Sequence, residues 1–303
     1  MIPLLNHKLL FVTGKGGVGK TSLSLALGLL AAEKGKKTIV VEVHSEEQVS
    51  HLLQRSSIGY QETELLPHLW GININPRSSF EEYVLLQIKL RGLYKAVFEN
   101  KLVRYFIEAT PGLSDLMCIG KIYALSKSYD LVIVDAPATG HSLALLEISS
   151  IVCNAIRLGP LNNEAQKIDR LLHDAKQTKI VPITLPEDMP VTETIELYDR
   201  LDKKLKLSLG PVFLNQVEES PFSKEDQEDL KPFLKNRSRQ DLLRYILTLH
   251  NTRTLMAQSY SLQLKEEIGG PIIPIPFIYS SQFGLHELEM IAEHIEGMDS
   301  ILP

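Results

Sequence analysis

The sequence predicts an α/β fold: a parallel sheet with helices on both faces and an inserted helical subdomain. Three observations predict it. Short apolar runs alternate with helix-length segments along the whole chain. The runs are nearly continuous in Val, Ile and Leu, as strands buried on both faces are. A glycine-rich turn stands between the first run and the first helical pattern, an order typical of βα units. The strand candidates are residues 8–13 (KLLFVT), 37–43 (KTIVVEV), 69–74 (LWGINI), 130–135 (DLVIVD), 179–184 (KIVPIT), 211–215 (PVFLN) and 271–275 (PIIPI). The first helix is expected over residues 22–34. Between residues 80 and 125 the spacing turns helical, with Val84, Leu85, Ile88, Val97, Phe98, Leu102, Tyr105 and Phe106 at three- and four-residue steps. A helical insertion is therefore placed at about 77–127, a further helical segment at about 143–176 (broken at Gly159-Pro160), and another over 240–265. No proline- or serine-rich linker divides the chain, so residues 1–303 are taken as one domain.

The composition narrows the function classes. Of 303 residues, 44% are hydrophobic and 23% charged, ordinary values for a soluble globular protein. Lys and Arg total 32 against 37 Asp and Glu, a formal charge of −5, which argues against a non-specific nucleic-acid binder. Two cysteines, Cys118 and Cys153, build neither a disulfide framework nor a four-cysteine zinc site. No run is long and apolar enough to cross a bilayer, and the first eleven residues do not read as a signal peptide. The expectation is a reduced, cytoplasmic protein.

The chemistry concentrates in the first glycine turn. Gly14, Lys15, Gly16, Gly17, Val18, Gly19, Lys20 and Thr21 read G-x-x-x-x-G-K-[ST], and Ser22 opens the helix behind them. Glycines at these places let the backbone wrap a phosphate with its N–H groups inward, and the positive end of the following helix favours the anion. Lys20 is expected on the β- and γ-phosphates, and the Thr21 hydroxyl on Mg²⁺. Asp135 closes the strand at 130–135, where P-loop proteins carry an acidic residue for Mg²⁺ or its water. These features specify a P-loop NTPase core binding ATP or ADP with Mg²⁺. A dinucleotide-binding reading fails, because Lys-Thr stands where G-x-G-x-x-G is needed.

Two motifs carry a family resemblance. With Lys15 the loop takes the form KGGVGKT, which resembles the deviant Walker A loop of the SIMIBI class of P-loop ATPases. That resemblance implies a dimer in which Lys15 reaches the partner's nucleotide. The segment from Asp135 to Ser142 (DAPATGHS) resembles the D-T-A-P-T-G-H-T switch element of the ArsA family, the arsenite-pump ATPases and tail-anchored-protein targeting factors. Asp135, Thr139, Gly140 and His141 match in place. Thr110-Pro111-Gly112 resembles a segment of that family's helical subdomain. The resemblance further implies that Asn215 hydrogen-bonds adenine and that Ile275 and Pro276, ahead of Gly284, belong to the loop packing on the base. It implies a homodimer, or a heterodimer with a paralogue, and a hydrophobic cargo or membrane-protein partner.

The sequence departs from that family after the second strand. The resemblance calls for D-P-A-H there, whose Asp positions the attacking water, and this chain has Val43-His44-Ser45-Glu46-Glu47-Gln48. His44 or Glu42 is the candidate replacement, Glu46 a third, and no catalytic role for any of them is the competing reading. The cysteine pattern of arsenite pumps and the C-x-x-C clasp of targeting factors are both absent. Three readings follow: an ATP-driven switch enzyme, a scaffold that binds ATP without turnover, and a MinD/ParA-type positioning ATPase. Residues 285–303 carry five acidic residues and neither Lys nor Arg, which weighs against the membrane-seeking tail the last reading needs.

Overall fold

The computed structural model describes residues 3–43, 47–87, 112–155, 159–218, 226 and 241–298. Strand β1 (Leu9–Thr13) runs through the glycine turn into α1 (Lys20–Glu33) and then β2 (Thr38–Val43). A single-turn helix α2 (Val49–Leu52) precedes β3 (Thr63–Leu66), β4 (Leu69–Ile74) and α3 (Pro76–Gln87). Helix α4 (Leu113–Leu125) leads into β5 (Leu131–Asp135), followed by α5 (Thr139–Ala155) and α6 (Pro160–His173). The remainder is β6 (Thr178–Thr184), α7 (Asp188–Asp199), β7 (Val212–Val217), α8 (Asp241–Ile268), β8 (Ile272–Pro276) and α9 (Leu285–Gly297).

The strands form one eight-stranded sheet in the order β3-β4-β2-β5-β1-β6-β7-β8. Every pairing is parallel except β3 with β4. The antiparallel edge strand was not expected from its sequence, Thr-Glu-Leu-Leu, in which only Leu65 is buried. Residues 88–111, on which much of the expected helical insertion falls, lie outside the described residues.

The alternation of side chains explains why the strands read as continuous apolar runs. Leu10 and Val12 of β1 enter the layer beneath α1 and α9. Leu9 and Phe11 of the same strand enter the opposite layer, beneath α4, α5 and α6. A period of two with both faces covered leaves no solvent-facing position along the middle of the strand. Helix α1 lies between the sheet and α9 and is buried on almost every side, from Leu23 to Ala32. Its Ala- and Leu-rich sequence suits that place, since both residues favour helix and carry no polar atom to strand. Each of Leu23, Leu25, Leu27 and Leu30 is nearly or fully buried and contributes about 1.5–3 kcal/mol of transfer free energy. The parallel strands thus hold β1, β2 and β5 rigidly, with their C-terminal ends side by side. In open α/β sheets that edge is where ligands bind.

Candidate functional site

The site grows from the end of β1. Gly14 passes so close to β6 that a Cβ there would lie 2.2 Å from the Ile183 carbonyl oxygen. Gly19 precedes α1 in the left-handed region (φ 97°) and offers the helix no side-chain cap. The first-turn N–H groups of α1 therefore remain directed at the space in front of the helix. That space is a cavity of about 570 Å³ bounded by Gly16, Gly17 and Gly19, by Lys20, Thr21 and Ser22, by Gln48 and Leu52, and by Asp135, Ala136, Pro137 and Ala138. The two motifs separated by more than a hundred residues in sequence meet here.

Thr21 Oγ1 donates to Asp135 Oδ2 at 2.6 Å. Asp135 is 7% exposed, and its Oδ1 finds no hydrogen-bond partner among the described residues. Burial pushes its carboxyl up to about 6, while the Thr21 bond and the Lys20 charge act in the opposite direction. Lys20 Nζ donates to the Lys15 carbonyl at 2.9 Å. Desolvation lowers the ammonium from its ordinary range, and the charge of Asp135 partly offsets this. A hydroxyl oxygen and a buried carboxylate with a free oxygen are the hard donors that Mg²⁺ selects. The donor set fits that ion.

Glu42 lies one strand over, in register with Asp135. It is 1% exposed. Its Oε1 accepts the backbone N–H of Gln48 at 2.6 Å and of Val49 at 3.1 Å. Its Oε2 is buried without a hydrogen-bond partner among the described residues. Burial pushes this carboxyl up to about 7; the two backbone bonds oppose the shift and the charges of Asp135 and Glu47 add to it. Glu42 thus closes the ring of backbone that carries the loop after β2, and it does not line the cavity. His44 and Glu46 lie outside the described residues.

The other residues singled out from sequence are placed as follows. Lys15 Nζ pairs with Glu193 Oε1 of α7 at 2.6 Å. Val18 is 1% exposed, with its side chain in the core. Asn215, near the end of β7, donates through Nδ2 to the Val18 carbonyl at 2.9 Å. It braces the glycine turn from outside the cavity. Ile275 is 1% exposed and packs in the layer beneath α1 and α9, while Pro276 is half-buried on the last residue of β8. Neither borders the cavity in front of α1.

The switch-element segment Ala136–Ala138 does line the cavity, whereas nothing in the sequence marked Gln48 and Leu52 as its other wall. Sequence reasoning also missed the buried contact between Thr13 Oγ1 and Ser142 Oγ at 2.8 Å, which ties the end of β1 to the start of α5. The polar pair at the ends of two apolar runs is the signal that marks the latter.

This is the site of a P-loop nucleotide-binding protein. Residues 7–163 match the anion-transporting ATPase family, ArsA. Over 222 residues the chain is 32% identical to ATPase BagA of Mycobacterium tuberculosis, the match covering 69% of this chain and 65% of that protein. The chain therefore spans just under two thirds of the length of that relative. It is 24% identical over 250 residues to ATPase ASNA1 homolog 1 of Paramecium tetraurelia, covering 69% of this chain and 75% of the relative. A protein named ATPase ASNA1 homolog in Entamoeba dispar is 24% identical over 251 residues, covering 69% and 76%. The chain belongs to the ArsA family of P-loop ATPases. Among the described residues no helix is long and apolar enough to cross a membrane.

Proposed function

We propose that this chain binds ATP with Mg²⁺, hydrolyses it, and uses the nucleotide state to switch its affinity for a partner, working in the cytoplasm as a single ATPase domain that dimerises. The observation that carries the reading is the Lys20–Thr21–Asp135 constellation at the mouth of a glycine turn. The N–H groups of the turn and of the first turn of α1 bind phosphate oxygens, and Lys20 exchanges its bond to the Lys15 carbonyl for the phosphate charge. Thr21 and Asp135 would hold Mg²⁺, which would supply positive charge to offset that of the phosphates. Asp135 then acts as a relay: it ends β5 and opens the Pro-containing loop into α5, so a change at its carboxylate moves the start of that helix.

Lys15 supports the dimer part of the reading. Its pair with Glu193 leaves both side chains about one-third exposed, so it is a weak bond that a partner's nucleotide can replace. ATP binding without turnover is the second reading, and one observation favours it: Glu42 is buried outside the cavity and its Oε1 is taken up by two backbone amides. The partner's chemistry is left to the resemblance, which points to a hydrophobic cargo or a membrane protein.

The test is nucleotide binding, phosphate release and oligomeric state for the wild type and Lys20→Ala. The expected result is Mg²⁺-dependent turnover, nucleotide-dependent dimerisation, and loss of nucleotide affinity by at least about tenfold in the variant. Wild-type protein with no affinity for ATP at millimolar concentration overturns the reading. Binding without phosphate release selects the second one.

A further inference from the structure

The loop after β2 lacks the family's water-positioning Asp, yet among its described residues one polar residue lines the cavity. That residue is Gln48, which is exposed and lines the cavity together with Lys20, Thr21 and Asp135. Its backbone N–H is gripped by Glu42 Oε1 at 2.6 Å, and Glu42 itself is fixed on β2. The side chain is thus carried by an anchored backbone. The neighbouring Glu47 carboxylate is turned away: Oε1 accepts from Gly59 N at 2.6 Å, and Oε2 from Ile58 N at 3.0 Å and Ser50 Oγ at 3.2 Å.

We propose that Gln48 orients the attacking water for ATP hydrolysis, and that Glu42 is the positioning residue that fixes Gln48. The assignment rests on the ATPase reading above. A primary amide suits the task because its oxygen accepts from the water while its NH₂ donates to a γ-phosphate oxygen, which fixes the water between them. In the step, a lone pair of the water oxygen forms the new bond to the γ-phosphorus as the bond from that phosphorus to the β–γ bridging oxygen breaks. ADP leaves with that electron pair. The water's proton passes to a γ-phosphate oxygen, and the products are ADP, inorganic phosphate and a proton released to solvent. Gln48 gains and loses no proton. This explains how the loop can serve hydrolysis without a carboxylate facing the cavity from any described residue of its length.

The test uses the full chain. Affinity for N-methylanthraniloyl-ATP with Mg²⁺ and the rate of phosphate release are measured for the wild type, Gln48→Ala, Glu42→Ala, His44→Ala and Glu46→Gln. For Gln48→Ala the expected result is a fall in kcat of about 10²-fold, as for loss of one group that acts in the transition state, with nucleotide affinity kept within about threefold. Glu42→Ala should lower kcat in the same direction, and the double variant should be little slower than Gln48→Ala alone. Turnover in Gln48→Ala within about threefold of wild type overturns the assignment, and the more so if His44→Ala or Glu46→Gln abolishes it. Wild-type protein that binds the probe without phosphate release overturns it too, while leaving nucleotide binding intact. Failure of the wild type to bind the probe is the distinct failure of the underlying reading.

Discussion

Replacing Glu42 by Gln is expected to change stability by an amount that depends on pH, with sign and size following from burial. The Glu42 carboxyl is pushed to about 7 in the folded chain from an ordinary 4.5. A carboxyl raised on folding is favoured in its protonated form in the native state. Its contribution is intact below the unfolded value and is lost as pH climbs through the folded one. Gln keeps the shape and an oxygen for the amides of Gln48 and Val49, and it carries no charge at any pH. Its NH₂ inherits the position of Oε2, which finds no partner among the described residues, so a fixed penalty follows. That penalty is the same at every pH, and the pH-dependent part of the difference isolates ionisation. Between pH 5 and pH 8 the variant should gain on the wild type by about 2.5 kcal/mol. Urea denaturation of both proteins without nucleotide or metal, at several pH values in that interval, measures it. A difference that holds constant to within about 0.5 kcal/mol across the interval refutes the claim that this carboxylate is desolvated.

Two further outcomes follow from packing. Gly19→Ala places a side chain in the left-handed region and drives a Cβ to 2.3 Å from Asn215 Nδ2. The backbone strain and the lost Asn215 bond to the Val18 carbonyl together should destabilise the fold by about 2–3 kcal/mol and lower nucleotide affinity; thermal melting and probe titration check both, and an unchanged melting temperature counts against the bracing role. Cys118 is fully buried on α4, and desolvation pushes its thiol up to about 12. A thiol reagent at pH 8 should modify half-buried Cys153 first and reach Cys118 only in denaturant; native labelling of both at one rate contradicts the packing.

What was legible in the sequence divides along physical lines. The glycine turn was legible because its chemistry is local: backbone N–H groups, a lysine and a hydroxyl must stand at fixed spacing to hold phosphate. The central strands were legible because burial on both faces fills their middles with Val, Ile, Leu and Phe and leaves polar residues mostly at their ends. β3 was not, since one buried residue in four gives no period to read. Glu42 was visible as a candidate, but its state depends on a strand neighbour and on backbone amides across a loop, which spacing does not encode. Asn215 was read as a base contact, and the structure adds a bond to the Val18 carbonyl that only the fold could bring together. Ile275 was read beside the base, whereas the alternation along β8 turns its side chain into the core. What it can offer a nucleotide is backbone.

The distribution of unmet polar groups argues for function at this edge independently of any motif. Four buried side-chain atoms lack a hydrogen-bond partner among the described residues, and two of them are carboxylate oxygens, Glu42 Oε2 and Asp135 Oδ1. Those two carboxylates stand in register on neighbouring strands. A fold selected for stability alone would place apolar residues of the same size there, as it does at Ile39–Val41 and Val43 of β2 and at Leu131–Val134 of β5. Two acids kept where burial opposes their charge weaken the ligand-free protein near neutral pH. Binding of a ligand at about a hundred times its dissociation constant adds about 2.7 kcal/mol to the folded state, close to what ionising Glu42 removes. A ligand that fills the cavity is therefore expected to offset that loss when urea stability is measured near neutral pH.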